Sequence, residues 1–236
     1  MRKAVFFVPA HISGFFQPCI YPDPYKTGSC NCGPCLELGV KTEVSLRSTS
    51  KKSTVKINGK ISNAPTTLQV IRELAPHGPG VEVLHSCEVP VGAGFGASGA
   101  GALGTAFALA EALSLPYTPE QLVRVAHRAE VTCRTGLGDV SPQAMGGLVF
   151  SLEPGAPPHG RWMLLKVPED LRVICCTLGP LKTKRLLRDQ SFLRRCERLG
   201  KAAVNRLKAS PNLTTFIKTS REFASSLGLF DRELLE

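Results

Sequence analysis

The stretch PVGAGFGASGAGA at 90–102 constrains this chain more than any other segment. It follows a β-favouring run, GVEVLHSCEVP, and precedes an Ala/Gly/Leu-rich stretch over 98–115 whose composition predicts a buried helix. Successive glycines let backbone N–H groups converge on an anion, and a helix beginning near Ser98 aims its positive end at the same place. That combination is a phosphate cradle. Tight helix packing is the other use of such glycines, and the loop alone leaves it open. Gly94, Gly96 and Gly99 satisfy G-x-G-x-x-G, but a dinucleotide site needs a second strand ending in an acid about 20 residues on. Here the next predicted element is a helix over 119–131. The Walker pattern fails as well, because no Lys-Ser or Lys-Thr follows the glycines.

The helix over 119–131 opens on Thr118-Pro119-Glu120, a start signal with proline in the first turn. Helical spacing places Val123, Ala126, His127 and Glu130 on one stripe and turns Gln121, Arg124 and Arg128 to solvent. A histidine and a glutamate among alanines and valines form either a satisfied buried pair or part of a site. Asp139 follows in the glycine-rich loop RTGLGDVSPQAMGG. Phosphoryl transfer to an alcohol needs a phosphate cradle, hard oxygen ligands for Mg²⁺ and a carboxylate near the acceptor hydroxyl. Ser98, Glu130 and Asp139 supply those kinds of group in that order.

The remaining chain mixes strands and helices without regular alternation, which predicts an α+β fold. Strands are expected over 3–8, 38–48, around Asn58-Gly59 as a tight hairpin, over 80–90, 146–154, 161–168 and 171–177. Helices are expected from Thr66 to Pro76 and throughout the chain after Gly179-Pro180. A Pro-rich turn at 154–158 predicts a boundary between residues 1–156 and 157–236. Of the 236 residues, 29 are Lys or Arg and 19 Asp or Glu, a net charge of +10. Ten of the basic residues, from Lys182 to Lys208, interleave with Leu186, Leu187, Phe192, Leu193, Leu199, Val204 and Leu207. That spacing describes the wet face of amphipathic helices rather than a nucleic-acid surface. No apolar run of about 18 residues is present, so neither a membrane span nor a signal sequence is expected, and the chain reads as cytoplasmic. Cys30, Cys32 and Cys35, with Cys19 at best as a fourth ligand, make a poor match to a four-ligand zinc site and read as loop thiols, a structural metal being the alternative; Cys175 and Cys176 read as core.

At VPAHISGFF, VPVGAGFGASGAGALG, AHRAE, TGLGDV and TLGPLKTKRLLRD the sequence resembles the GHMP kinase superfamily and, within it, the archaeal pantoate kinases. The resemblance runs from residue 5 to about residue 230. It implies a two-subdomain fold, with an N-terminal part like domain 2 of ribosomal protein S5 and a shortened, partly ferredoxin-like C-terminal part. It implies ATP-dependent phosphorylation of pantoate to 4-phosphopantoate, a step toward coenzyme A, in a homodimer. Another small hydroxy acid as substrate, or a relative that binds without efficient turnover, is the alternative. Carried over by position, Pro90, Gly92, Gly94, Gly96, Ala97, Ser98 and Gly99 wrap ATP. Ser98 and Glu130 hold Mg²⁺, Asp139 is the catalytic carboxylate, and Ser29 and His127 face the substrate. The family pattern Gly-Ser-Arg-Gly reads Gly28-Ser29-Cys30-Asn31 here, and a second family arginine is replaced by Ser151.

Overall fold

A computed structural model of the chain describes residues 2–47, 51–177 and 189–228. The strands are β1 (Lys3–His11), β2 (Phe15–Cys19), β3 (Gly28–Arg47), β4 (Thr54–Ile57), β5 (Lys60–Ile61), β6 (Gly80–Cys87), β7 (Leu148–Glu153) and β8 (Arg161–Leu165). The helices are α1 (Pro65–Leu74), α2 (Ala97–Leu113), α3 (Pro119–Cys133), α4 (Val140–Met145), α5 (Gln190–Ala209) and α6 (Leu213–Leu227). The α+β class expected from the sequence is the class observed. No helix among the described residues is long and apolar enough to cross a membrane.

One strand organises the sheet, whose order is β5-β4-β6-β3-β7-β8 with β1 and β2 also paired to β3. β3 is 20 residues long. Its second half, Val40 to Arg47, lies between β1 and β6, while its first residues pair with β2 and, at Cys32 to Pro34, with β7. β4 runs parallel to β6, and the other described pairings are antiparallel. Asn58 and Gly59 turn the β4–β5 hairpin with φ of 47° and 79°, the paired left-handed conformation that Asn-Gly favours.

Each half of β3 carries its own core. Around the second half, Val8, Val40, Val44, Val83, Leu103 and Leu109 close one core under α1, α2 and α3. Around the first half, Phe15, Cys32, Phe150, Phe192, Leu207 and Phe223 close another under α5 and α6. α5 exposes Arg194, Arg195, Arg198, Lys201, Arg206 and Lys208 and buries Phe192, Leu193, Cys196, Val204 and Leu207, the amphipathic pattern expected of it. The other four of the ten basic residues between Lys182 and Lys208 lie outside the described residues.

Three expectations are corrected. Cys30, Cys32 and Cys35 are strand residues of β3, not loop thiols. Cys30 and Cys32 enter the second core, and the Cys35 thiol donates to the Pro142 carbonyl at 3.2 Å. Glycine and proline disguise this strand, yet β2 and β7 on its two sides supply its backbone partners. Residues 171–177 form no strand; they are exposed, Cys175 and Cys176 included, and Ile174 is 97% exposed. An apolar run becomes a buried strand only beside a ladder partner, and no described strand pairs with this one. Finally, the glycine loop after α3 contains a helical turn, α4, with Asp139 as its N-terminal flanking residue.

Candidate active site

A cavity of about 980 Å³ opens between the N-termini of α1 and α2, the glycine loop, the start of β3 and the segment 134–139. That is the upper end of the range for small-molecule sites. Gly92, Gly94 and Gly96 all have positive φ, at 79°, 85° and 64°. A Cβ on Gly92 or Gly94 would meet nothing within 4 Å, so the backbone conformation, not crowding, calls for glycine at these two. The N-termini of α1 and α2 on the cavity have no side-chain cap, nor has the short α4 that begins at Asp139, whereas α3, α5 and α6 are capped by Thr118, Asp189 and Asn212. Free N–H groups and the positive dipole ends are left where an anion can use them.

Ser98, in the first turn of α2, shares a 3.1 Å hydrogen bond with the Thr66 hydroxyl of α1. Thr66 in turn meets the Thr135 hydroxyl at 3.0 Å. Just below them, Glu130 on α3 is completely buried, and neither carboxylate oxygen has a hydrogen-bond partner among the described residues. The room for it is made by glycine: a Cβ on Gly136 would lie 2.4 Å from Glu130 Oε1, and one on Gly99 2.9 Å. Burial first, and then the nearby Asp139 charge, push the Glu130 carboxyl well above the usual carboxylate range. Such a buried, unpartnered acid is expensive for a folded chain.

Across the cavity, His11 at the end of β1 donates from Nδ1 to Asp139 Oδ1 at 2.8 Å. His11 is fully buried, while Asp139 keeps part of its side chain open to the cavity. Alternation along β3 turns Ser29 and Asn31 to the cavity and Cys30 and Cys32 into the second core. The Asn31 amide donates to Ser29 Oγ at 2.9 Å and to the Gly138 carbonyl at 3.2 Å, tying β3 to the loop that carries Asp139. Buried Ser151 donates to Asn31 Oδ1 at 3.4 Å. An arginine at position 30 would therefore point into the apolar core. Arg134 is the one lysine or arginine lining the cavity among the described residues.

Ser29, Gly92, Gly94, Gly96, Ala97, Ser98, Glu130 and Asp139 thus line one cavity, whereas Pro90, Gly99 and His127 are not among its lining residues. His127 is buried and donates from Nε2 to the Thr27 carbonyl at 2.8 Å, holding the turn before β3. Burial lowers its pKa. Arg124 and Arg128, expected in solvent, stand over the Tyr25 ring, and Arg128 pairs with Glu73 at 2.9 Å. The sequence reading missed His11, Asn31, Thr66 and Thr135 as site residues. His11 had a signal, a lone histidine closing an apolar β-run; isolated threonines and asparagines carry none.

Residues 64–147 match the family GHMP kinases N terminal domain. The chain is 35% identical to the pantoate kinase of Thermococcus kodakarensis over 237 residues, which cover 98% of this chain and 78% of that protein. It is 32% identical to the pantoate kinase of Methanocaldococcus jannaschii over 231 residues, 97% of this chain and 82% of that one. A solved structure described as a phosphotransferase related to the CoA biosynthesis pathway superposes with a TM-score of 0.88 at 33% identity, covering 98% of this chain and 78% of the other.

Proposed function

We infer that this chain, which belongs to the GHMP kinase family, transfers a phosphoryl group from ATP to pantoate, giving 4-phosphopantoate and ADP. The observation that carries the chemistry is the meeting, in one cavity, of two uncapped helix N-termini, an unpartnered buried glutamate and an aspartate held by histidine. Pantoate as the acceptor is supported by near-full-length relatives of that name.

The glycine loop and the first turn of α2 bind the nucleotide phosphates through backbone N–H groups. Asp139, oriented by His11, accepts the proton of the substrate hydroxyl while that oxygen bonds to the γ-phosphorus; the bond to the bridging oxygen breaks and ADP leaves. Ser29 and Asn31 orient the acceptor, and Phe16 and Phe192 help exclude water. Arg134 holds the substrate carboxylate. Glu130 and Ser98 fit Mg²⁺, because a carboxylate with no internal partner and a hydroxyl are the hard oxygens that ion takes. When bound, the ion neutralises charge on the β- and γ-phosphate oxygens. The same reading divides the chain at residues 1–156 and 157–236, since the first part supplies every described cavity residue except Phe192.

ADP release measured over a panel of small hydroxy acids tests this reading. Pantoate is expected to give the highest kcat/KM, and Arg134→Ala to raise its KM about 10- to 100-fold, the value of a charge-assisted hydrogen bond. Turnover of another acid at the expense of pantoate would overturn the substrate assignment.

Glu130→Gln separates a metal ligand from a structural acid. Replacing an unpaired buried carboxylate by a neutral amide is expected to leave the unliganded protein at least as stable as the parent. The rise in Tm that Mg²⁺·ATP produces in the parent should be lost. A variant that melts lower yet keeps the full ligand-dependent shift would remove Glu130 from the metal site.

A further inference from the structure

Gln143 lies in α4, is 3% exposed and does not line the cavity. Its Nε2 donates to the Gly96 carbonyl at 3.0 Å. Gly96 is the left-handed residue that ends the glycine loop and starts α2. The same carbonyl accepts the first bond of α2, from Ala100 N at 2.9 Å, so the amide takes up its second lone pair. On the other side, Gln143 N donates to the Asp139 carbonyl at 3.0 Å. Gln143 is therefore hydrogen-bonded both to the end of the phosphate loop and to the residue bearing the acceptor carboxylate.

The packing leaves no slack in this link. A Cβ on Gly96 would lie 2.8 Å from Gln143 Nε2 and 3.2 Å from Asp139 Cγ. A Cβ on Gly99 would lie 2.9 Å from both Gln143 Oε1 and Glu130 Oε1. The glutamine thus runs alongside the first turn of α2, between the loop and the buried acid. Gly96 and Gly99 themselves carry no side chain that could make this bond in its place.

We propose that Gln143 is a positioning residue that locks the glycine loop to the helical turn carrying Asp139, so that the transferring phosphoryl group and the acceptor carboxylate stay in register. The proposal rests on the kinase reading above for its effect on turnover, but the lock itself exists in the unliganded protein. A displacement of about 1 Å in a reacting pair costs about 10²-fold in rate, so a loosened loop should lower kcat more than it alters binding.

Two variants of similar length test it. Gln143→Met removes the bonded Nε2 together with Oε1, which has no partner among the described residues, and Gln143→Glu replaces the amide donor while keeping the shape. Both are expected to lower kcat about 10- to 100-fold, with KM for pantoate and the affinity for a non-hydrolysable ATP analogue within about threefold of the parent. In the Asp139→Asn background the same replacement should cost almost nothing more, since groups acting through one another are not additive. Amide exchange over 92–99 should quicken about tenfold in the unliganded variants, a readout independent of which acid is phosphorylated. Unchanged exchange of the loop would overturn the proposal, as would a kcat within threefold of the parent or fully multiplicative losses in the double variant. A parent without activity toward pantoate, but with faster loop exchange in Gln143→Met, would overturn the substrate reading and leave the lock supported.

Discussion

Asp139→Asn is expected to lower kcat by at least about 10²-fold, the scale of a positioned acid–base group, while leaving Mg²⁺·ATP binding within a few-fold of the parent. The replacement keeps the size of the side chain, and its amide oxygen can still accept the 2.8 Å bond from His11 Nδ1. What it loses is the oxygen that takes the hydroxyl proton, for an amide presents an NH₂ group there. The change also removes the charge that helps to push the Glu130 carboxyl up. Glu130, the acid proposed to hold the metal, should therefore be easier to ionise, not harder. Single-turnover phosphoryl transfer, measured beside calorimetry for the nucleotide, separates the two effects. Turnover near the parent value would remove Asp139 from proton transfer.

The second large effect belongs to folding. At Gly33 an added Cβ would lie 1.8 Å from the Ile12 carbonyl oxygen and 3.0 Å from His11 Nε2. β3 cannot step aside, because Gly33 pairs with Val149 of β7 and its neighbours Cys32 and Pro34 with Phe150 and Leu148. Ile12 N is tied back to the Pro34 carbonyl at 3.1 Å. Gly33→Ala should therefore destabilise by at least about 4 kcal/mol, in the range reserved for overpacked or strained cores, and much of the protein should be insoluble. Gly59→Ala, in the open hairpin turn, meets nothing within 4 Å and should cost only about 1–2 kcal/mol for its left-handed backbone. Urea unfolding of the two variants gives the comparison; a Gly33→Ala protein as stable as Gly59→Ala would contradict the packing described at this crossing.

What was legible in the sequence was whatever local chemistry decides. Asn58-Gly59 turns a hairpin because few other pairs tolerate its dihedrals. Thr118 starts α3 with a full capping box. The glycines before Ser98 take positive φ at 92, 94 and 96, a backbone that L side chains rarely adopt. The grouping of residues was readable for the same reason: Ser98, Glu130 and Asp139 share one cavity. Features set by distant partners were not legible. The GSCNCGPC stretch has the composition of a loop and becomes a strand because β2 and β7 flank it. LRVICCT has the composition of a strand and, without a described neighbour, is exposed. His127 was readable on its helix as either a satisfied buried group or a site residue, and its partner, the Thr27 carbonyl a hundred positions away in sequence, was not. His11 shows the reverse: only the pairing of β1 against β3 and the approach of the loop at 139 give it a carboxylate to hold.

A single strand carrying two cores also bears on how the molecule yields and how it breathes. Had the halves met through an interface, they could swing apart to admit substrate, as hinged enzymes do. β3 runs unbroken from Gly28 to Arg47 through both halves and limits that freedom, so entry and release are expected to depend on local excursions of the glycine loop and the 134–138 segment. For the same reason, loss of either core strips hydrogen-bond partners from the strand that supports the other. Melting should then occur as one cooperative event, and ligand bound in the cavity should protect the α5–α6 layer, which it scarcely touches, as strongly as the helices around it.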